Sequence, residues 1–288
     1  MTLRLRTPDE IERVDPLRAR YVRMLTHAAT VGRPATPSVW TAGLALCDIL
    51  GGNDEVVALT GADAIQDYVS PKHANRGRRL EWEDGLHAHA LLLAIKLAPA
   101  RLEAPPADAA RAVGRSSVLV ARTLEGLPNG LSAVNGGLAC VAAWSELARS
   151  HRSRAVQKPS VIARLAGCQQ PNGTFLELDT NQADNLEAWW FYELVLLHAM
   201  TTYAMLTGDA AVGESARRAA AFHHAETQPD HATNQPWAIH AFLSDPEFTP
   251  TADLMLLAAG VNQPGSLDAV SRILLADAAV CLSLPERA

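Results

Sequence analysis

Two polar segments of the chain carry the residue types that acid–base chemistry uses. The segment 179–193, DTNQADNLEAWWFYE, places Asp184, Glu187 and Trp190 at the start of a long apolar stretch. The segment 229–237, PDHATNQPW, combines a carboxylate, an imidazole, two amides and an indole: Asp230, His231, Asn234, Gln235 and Trp237. A carboxylate and an imidazole can exchange protons with a bound molecule, while amides and indoles fix the position of a polar ligand. We therefore predict Glu187, Asp230 and His231 as catalytic residues, and Asp184, Trp190, Asn234, Gln235 and Trp237 as substrate-binding residues.

A third polar group lies at residues 83–87. Glu83 and His87 are four residues apart and would share one face of a helix, so we assign both to substrate binding. A metal held by these two residues together with Asp230 and His231 is the alternative, because oxygen and nitrogen ligands suit zinc, manganese or calcium. Adjacent residues rarely ligate one ion, however, and the chain has no HExxH motif. The sequence therefore predicts no metal and no other cofactor.

Several of the polar and aromatic residues also have a purely structural interpretation. The helix dipole alone favours acidic residues such as Glu83 and Asp184 in a first helical turn, and Asn234 can act as a helix cap. Trp190 lies in a long apolar run, where an indole usually packs in the core. His198, inside the run LVLLHAM, is expected to be a hydrogen-bonded core histidine.

The elements that position these residues are predicted to be helices throughout. Apolar residues recur at helical spacing, alanine and leucine dominate the periodic stretches, and the breaks fall at Gly, Pro, Asn and Asp. About twelve helices are predicted: 7–30, 37–50, 54–68, 80–97, 107–124, 131–150, 161–169, 185–206, 210–226, 234–243, 251–259 and 266–284. Short loops make consecutive helices antiparallel, and apolar helices alternate with more polar ones. This pattern predicts one domain over 1–288, an all-α ring of about six hairpins.

The segment VIARLAGCQQPNGTF over 161–175 supports the ring over an open array. Gln169, Gly173 and Phe175 stand in the order of a Q-x-x-x-G-x-W repeat, with Phe in place of Trp. The segment resembles that repeat in squalene-hopene cyclases and their relatives, the terpenoid cyclases and protein prenyltransferases. The resemblance implies an α/α toroid, although the D-x-D-D motif and the zinc ligands of those enzymes are missing. We expect Gly173 to adopt a positive φ, and the motif to tie an outer helix to an inner one.

In such a ring all inner helices point the same way, so their N-termini meet at one rim. Free N–H groups and the helix dipole favour polar or anionic ligands there. The segments 179–193 and 229–237 both precede inner helices, and we expect Glu187, Asp230, His231, Asn234 and Trp237 to line one cavity.

The composition and charge of the chain bear on which classes of function are possible. The chain has 288 residues, a formal net charge of -6 and 19% charged residues. A mildly acidic protein lacks the basic surface that nucleic acid requires, and no apolar run has the length of a membrane span. The N-terminus has no apolar secretory segment and the four cysteines form no CxxC pair, so we expect a cytoplasmic protein. We predict an enzyme that acts on a polar, carbohydrate-like or isoprenoid-derived small molecule by carboxylate and histidine chemistry. A non-catalytic toroid that binds a ligand or a protein is the alternative, and a cyclase or prenyltransferase relative with rearranged acids is a third.

Overall fold

The protein is all-α in a computed structural model that describes residues 3–31, 41–52, 82–98, 131, 133–151, 161–177, 186–226 and 234–285. These ranges contain eleven α-helices and two short 3-10 helices, Pro246–Phe248 and Pro264–Ser266, and no β-strand. The predicted all-α class is confirmed. The helices predicted over 54–68 and 107–124 lie outside the described residues.

The α-helices follow the predicted order, mostly with ends shifted by a few residues. They are α1 Pro8–Glu12, α2 Pro16–Thr30, α3 Thr41–Leu50, α4 Trp82–Leu97, α5 Ala133–Ser150, α6 Val161–Gly167, α7 Leu186–Thr207, α8 Ala210–Glu226, α9 Ile239–Leu243, α10 Thr249–Ala258 and α11 Ala269–Leu282.

The single helix predicted over 7–30 is wrong, because the chain breaks between α1 and α2. Thr7 caps α1 as expected, and its Oγ1 accepts a hydrogen bond from the Glu10 amide. Asp15 then caps a new helix by accepting from the Arg18 amide, and Pro16 follows at the first helical position. Proline has no N–H to continue the helix before it, so this position favours a new start.

The helix predicted over 234–243 is also wrong in its first half. Helix α9 begins at Ile239, and Ala238 has a left-handed backbone with φ 56°. A left-handed residue cannot belong to a right-handed helix, so residues 234–238 form a turn. This turn leads from the exposed Asn234 to the fully buried Trp237.

Contacts between helices run in a closed series. Helix α3 contacts α4, α4 contacts α5, α5 contacts α7, α7 contacts α9, α9 contacts α11, and α11 contacts α3. Helices α2, α6, α8 and α10 pack against members of this series. Leucines of α4, α7 and α11 are fully or almost fully buried: Leu91, Leu92, Leu194, Leu197 and Leu275. This order of contacts is the one expected in a toroid, but the helices predicted over 54–68 and 107–124 lie outside the described residues, so the toroid stays a prediction.

The turn at 169–175 has the expected local structure. Gly173 has φ 101°, and the Gln169 amide nitrogen donates to the Gly173 carbonyl at 2.7 Å and to the Ser215 carbonyl of α8 at 2.8 Å. On the other side, the Phe175 amide donates to the buried Glu193 carboxylate of α7 at 3.1 Å. The turn therefore ties the more polar helix α8 to the buried helix α7, which confirms its predicted structural role.

A cavity of about 340 Å³ shows how three helices of the series are oriented. Gly208, Ser244 and Leu282 line it, and these residues lie at or just beyond the C-terminal ends of α7, α9 and α11. The C-terminal ends of α7, α9 and α11 therefore meet at this cavity, whereas the sequence predicts the site at N-terminal helix ends.

No helix in the described parts of the chain combines the length and apolar character that a bilayer crossing needs.

Candidate functional site

A carboxylate in the middle of α11 is the centre of a buried polar cluster. Asp277 lies within the run LLADAAV and is fully buried, with no exposed side-chain surface. Its Oδ1 lies 2.8 Å from His89 Nε2 of α4. Its Oδ2 lies 3.0 Å from His198 Nε2 of α7 and 2.9 Å from Thr202 Oγ1, one turn further along α7. Three helices of the closed series thus converge on one side chain.

The electrostatics of Asp277 fix the direction of these hydrogen bonds. Burial alone would raise the pKa of Asp277, but the charge and hydrogen bond of His89 and the hydrogen bond from His198 hold that pKa well below its ordinary value. An ionised carboxylate only accepts hydrogen bonds. His89 Nε2, His198 Nε2 and Thr202 Oγ1 must therefore all donate to Asp277.

One arm of the cluster runs from Asp277 to His240 of α9. The Thr202 hydroxyl donates its proton to the hydrogen bond with Asp277, so the Thr202 oxygen must accept from His240 Nε2, which lies 2.9 Å away. The Cys281 thiol also points to this oxygen, at 3.8 Å. Burial lowers the pKa of His240 well below the ordinary value, and the neighbouring His198 lowers it further, so the ring is neutral. A neutral ring with its proton on Nε2 has a bare lone pair on Nδ1, and this buried nitrogen has no hydrogen-bond partner among the described residues.

The other arm runs from Asp277 through His89 to His151, just beyond the end of α5. His89 Nδ1 lies 2.9 Å from His151 Nε2. Burial lowers the pKa of His151 well below the ordinary value, with smaller contributions from His89 and Lys96. The Nδ1 atom of His151 is buried and has no hydrogen-bond partner in the described ranges.

The third histidine, His198, is held in one tautomer by a hydrogen bond from the backbone. The Ala238 amide donates to His198 Nδ1 at 3.0 Å, so this nitrogen must carry a lone pair. Burial lowers the pKa of His198, although Asp277 opposes the change. The single proton of the neutral ring is therefore on Nε2, where it faces Asp277. The expectation that His198 is a hydrogen-bonded core histidine is confirmed.

The fixed tautomer of His198 determines whether this cluster can bind a metal. One potential ligand atom from each of His198, His240 and Asp277 lies within 4.8 Å of the others, close enough for one ion. A metal-bound imidazole nitrogen must offer a lone pair, and the ring's other nitrogen then carries the proton. The Ala238 amide imposes the opposite arrangement on His198. The three residues therefore fit a hydrogen-bonded network and do not fit a metal site.

Indole and phenyl rings cover the cluster on the side of the N-terminal helix ends. The Trp237 ring centre lies 5.7 Å from that of His198, 5.1 Å from Trp82 and 5.9 Å from Phe191. Trp144 of α5 lies 5.5 Å from His198 and 5.7 Å from His89. The Trp144 Nε1–H is buried and, like Nδ1 of His151 and Nδ1 of His240, has no hydrogen-bond partner among the described residues. Three such polar atoms therefore lie in one buried cluster.

The structure places the residues of segment 229–237 at several depths. Asn234 is exposed, while Gln235 is half-buried and accepts from the Trp237 indole at 3.1 Å. Trp237 itself is fully buried against His198. Asp230 and His231, predicted as catalytic, lie outside the described residues.

The other predicted site residues that the structure describes differ in burial and in surroundings. Glu187 is exposed on the first turn of α7. Trp190 is buried, but its ring stacks on Phe222 of α8 at 6.2 Å, while the adjacent Phe191 contacts Trp237. On α4, His87 is buried and Glu83 is half-buried. Asp184 lies outside the described residues.

The sequence analysis missed the residues that form the buried network: His89, His151, Thr202, His240 and Asp277. A signal was present for Asp277 and His89, because each is a polar residue inside an otherwise apolar helical run. Buried charges are rare unless they are paired, so a carboxylate in LLADAAV needed partners on neighbouring helices. His240 follows the turn 234–238 and its role depends on that turn, which the sequence analysis assigned to a helix.

No family model, curated protein or solved structure matches this chain. The resemblance to terpenoid cyclases and prenyltransferases continues to rest on the turn at 169–175.

Proposed function

We propose that this protein is an enzyme that removes or returns protons on a polar small molecule, with the Asp277 network as its acid–base machinery. One observation carries the proposal: the buried, neutral His240 ring presents an unpartnered Nδ1 lone pair and is connected through Thr202 to an ionised carboxylate. Buried polar atoms in native proteins nearly always have partners, and exceptions call for an explanation. A ligand that bonds to this nitrogen is such an explanation.

The chemistry of His240 follows from its connections. A neutral imidazole can accept a proton at Nδ1 and become positively charged. Its Nε2–H already points to Thr202, and the Thr202 hydroxyl points to Asp277, so the negative carboxylate stabilises the new positive charge through one intervening hydroxyl. Asp277 in this arrangement supports the base and holds its orientation.

The surrounding groups favour a polar ligand with both donors and acceptors. The Trp144 indole N–H offers a donor, while His240 Nδ1 offers an acceptor, and both atoms are buried. Hydroxyl groups can satisfy both types of partner, and the aromatic rings around Trp237 give flat faces for packing. These features support a carbohydrate-like substrate over an isoprenoid one. Glu187, Asp230 and His231, which the sequence places at the N-terminal rim, remain proposed contributors at the entrance.

Proton abstraction can be tested before the substrate is known. The protein is incubated in deuterated water with a panel of reducing sugars and 2-keto acids, and NMR follows the loss of hydrogen next to each carbonyl. Wild type is expected to catalyse exchange on at least one compound. His240→Gln keeps an amide N–H near Thr202 but has no titratable base, and its exchange rate should fall at least about 100-fold, as for loss of a general base.

His27→Ala is the matched control, because His27 is exposed on α2 and lies outside the network. It should exchange at the wild-type rate. If the panel shows no exchange while compounds from it still raise the melting temperature of wild type, the protein binds a ligand without this chemistry. Equal exchange by wild type and His240→Gln would refute His240 as the base.

A further inference from the structure

The turn before α9 holds a strained residue. Ala238 has φ 56° and ψ 20°, and it is the one non-glycine residue with positive φ in the described part of the chain. In this region the Cβ atom of an L-residue crowds its own backbone, so the conformation persists only where its surroundings hold it. Ala238 also stands at the N-cap of α9 without a capping side chain.

Hydrogen bonds hold Ala238 on both sides: its carbonyl accepts from the Ala241 amide of α9 at 2.9 Å, and its own amide is bound to a side chain of α7. Its amide donates to His198 Nδ1 at 3.0 Å, and both residues are fully buried. The chain reaches the surface four residues earlier, where Asn234 is exposed. Between the two, the Gln235 side chain donates to Asp268 at 3.4 Å and accepts from the Trp237 indole at 3.1 Å.

The same turn covers the Asp277 network. Trp237, next to Ala238, fills the space between Trp82, Phe191 and Trp144 and lies against His198. Every side chain of the network that touches Asp277 is fully buried, so a substrate can reach it only if something moves. Within three residues the chain passes from exposed Asn234 to fully buried Trp237, which makes this turn a short cover between solvent and network.

We propose that residues 235–238 form a lid over the Asp277 network, and that the bond from the Ala238 amide to His198 is a latch that opens when His198 takes up a second proton. The second proton would enter at Nδ1, so His198 would present an N–H to the Ala238 N–H. Two donors repel each other, the bond is lost, and Ala238 leaves its strained conformation. Trp237 then moves away from the rings of Trp82 and Phe191. The inference rests on the proposed function only in giving the opening a purpose, namely substrate entry.

The charges around His198 set the direction of the pH response. The titratable groups that face it are Asp277 from α11, His240 from α9 and His89 from α4, while α5 contributes the Trp144 ring. Burial lowers the pKa of His198, the proximity of His89 lowers it too, and Asp277 raises it. The net shift is downward, so the lid is shut at neutral pH and opens on acidification.

The test reads Trp237 directly. The protein is labelled with 5-fluorotryptophan, the Trp237 fluorine resonance is assigned with Trp237→Phe, and its exposure to a soluble paramagnetic agent is followed from neutral to mildly acidic pH. Wild type should gain exposure at Trp237 while far-ultraviolet circular dichroism stays constant. His198→Asn places a non-titrating oxygen near the position of Nδ1, keeps the latch, and should abolish the gain over the same range. His27→Asn should behave as wild type.

Two results would overturn the lid. In one, Trp237 stays protected until the helical signal is lost, so that no opening precedes unfolding. In the other, His198→Asn opens at the same pH as wild type. Because this experiment uses no substrate, its failure leaves the proton-transfer proposal standing, and failure of the exchange assay leaves the lid standing.

Discussion

Replacement of Asp277 separates a hydrogen-bonded network from ordinary core packing. Asp277→Ala leaves three donors, His89 Nε2, His198 Nε2 and Thr202 Oγ1, without their acceptor in a fully buried place. Each orphaned donor costs about 1–3 kcal/mol. Thr202 can rotate its hydroxyl, but His198 is held in its tautomer by the Ala238 amide. We expect Asp277→Ala to lose about 4 kcal/mol of unfolding free energy, in the lower part of the sum for three orphaned donors.

Asp277→Asn should lose less, because the network can adapt to it. The Asn oxygen can take the place of Oδ2 and accept from His198 and Thr202. Its side-chain N–H then faces His89 Nε2, so in this variant Nε2 must be unprotonated and accept the hydrogen bond. His89 then donates from Nδ1 to His151 Nε2. His151 ends with a proton on Nδ1. All hydrogen bonds to residue 277 are kept, but none of them involves a charged carboxylate any longer. We expect a loss of about 2 kcal/mol of unfolding free energy, since charged hydrogen bonds contribute more than neutral ones.

Urea unfolding followed by circular dichroism at mildly alkaline pH measures both losses. Asp253→Asn is the matched control, since this exposed carboxylate accepts one hydrogen bond, from Tyr21 at 2.7 Å, and should lose less than about 1 kcal/mol. Equal losses for Asp277→Asn and Asp277→Ala would refute the adaptable network. No loss for Asp277→Ala would show that the carboxylate is not held as described.

The remaining predictions concern the pH response, the turn and the core. Burial lowers the pKa values of His151, His198 and His240 in the folded state, so unfolding takes up protons. The urea midpoint should therefore fall as pH drops below the ordinary histidine value of 6.5. A midpoint that stays constant from neutral pH down to mildly acidic pH would contradict the neutrality of these three rings. Gly173→Ala should lose about 2–4 kcal/mol of unfolding free energy, because φ is 101° and a new Cβ would lie 2.7 Å from the Arg218 carbonyl oxygen. At the control position, Gly167→Ala, a new Cβ meets nothing within 4 Å and the effect should be nearly neutral. Similar melting temperatures for the two variants would refute the close approach at Gly173. Leu197→Ala should lose about 2–5 kcal/mol and the half-exposed Leu254→Ala far less, as calorimetry can show; a comparable loss at both sites would count against the position of Leu197 in the core.

Local patterns predicted the helices well where one signal dominated. Helix α8 has its predicted bounds because a Gly-Asp break precedes an uninterrupted helical pattern. The Thr7 cap and the positive φ of Gly173 follow from side chains within a few residues. Where two signals competed, the prediction failed. At Asp15–Pro16 a new cap interrupts a run of apolar spacing, and at Ala238 a long-range bond to His198 overrides helix propensity.

The candidate site was harder to predict because its members come from five separate helices or their ends. His89, His151, His198, His240 and Asp277 are far apart in sequence, and only tertiary packing makes them neighbours. The sequence analysis looked for polar residues in loops, where sites are most often found. The network instead lies within apolar helices, where each member alone resembles an isolated core residue. Trp237 was predicted as a binding residue and the structure places it against this network, but Phe191, next to the predicted Trp190, is its aromatic neighbour on α7.

The tautomers of the buried histidines test the central account most directly. Histidine labelled with ¹⁵N at both ring positions distinguishes protonated from bare nitrogens by NMR at neutral pH, with single His→Gln variants to assign each ring. The account predicts that His198 and His240 are neutral with the proton on Nε2, and that their two Nδ1 signals are those of unprotonated nitrogens. A proton on Nδ1 of His198, or a charged His240, would contradict the network that converges on Asp277.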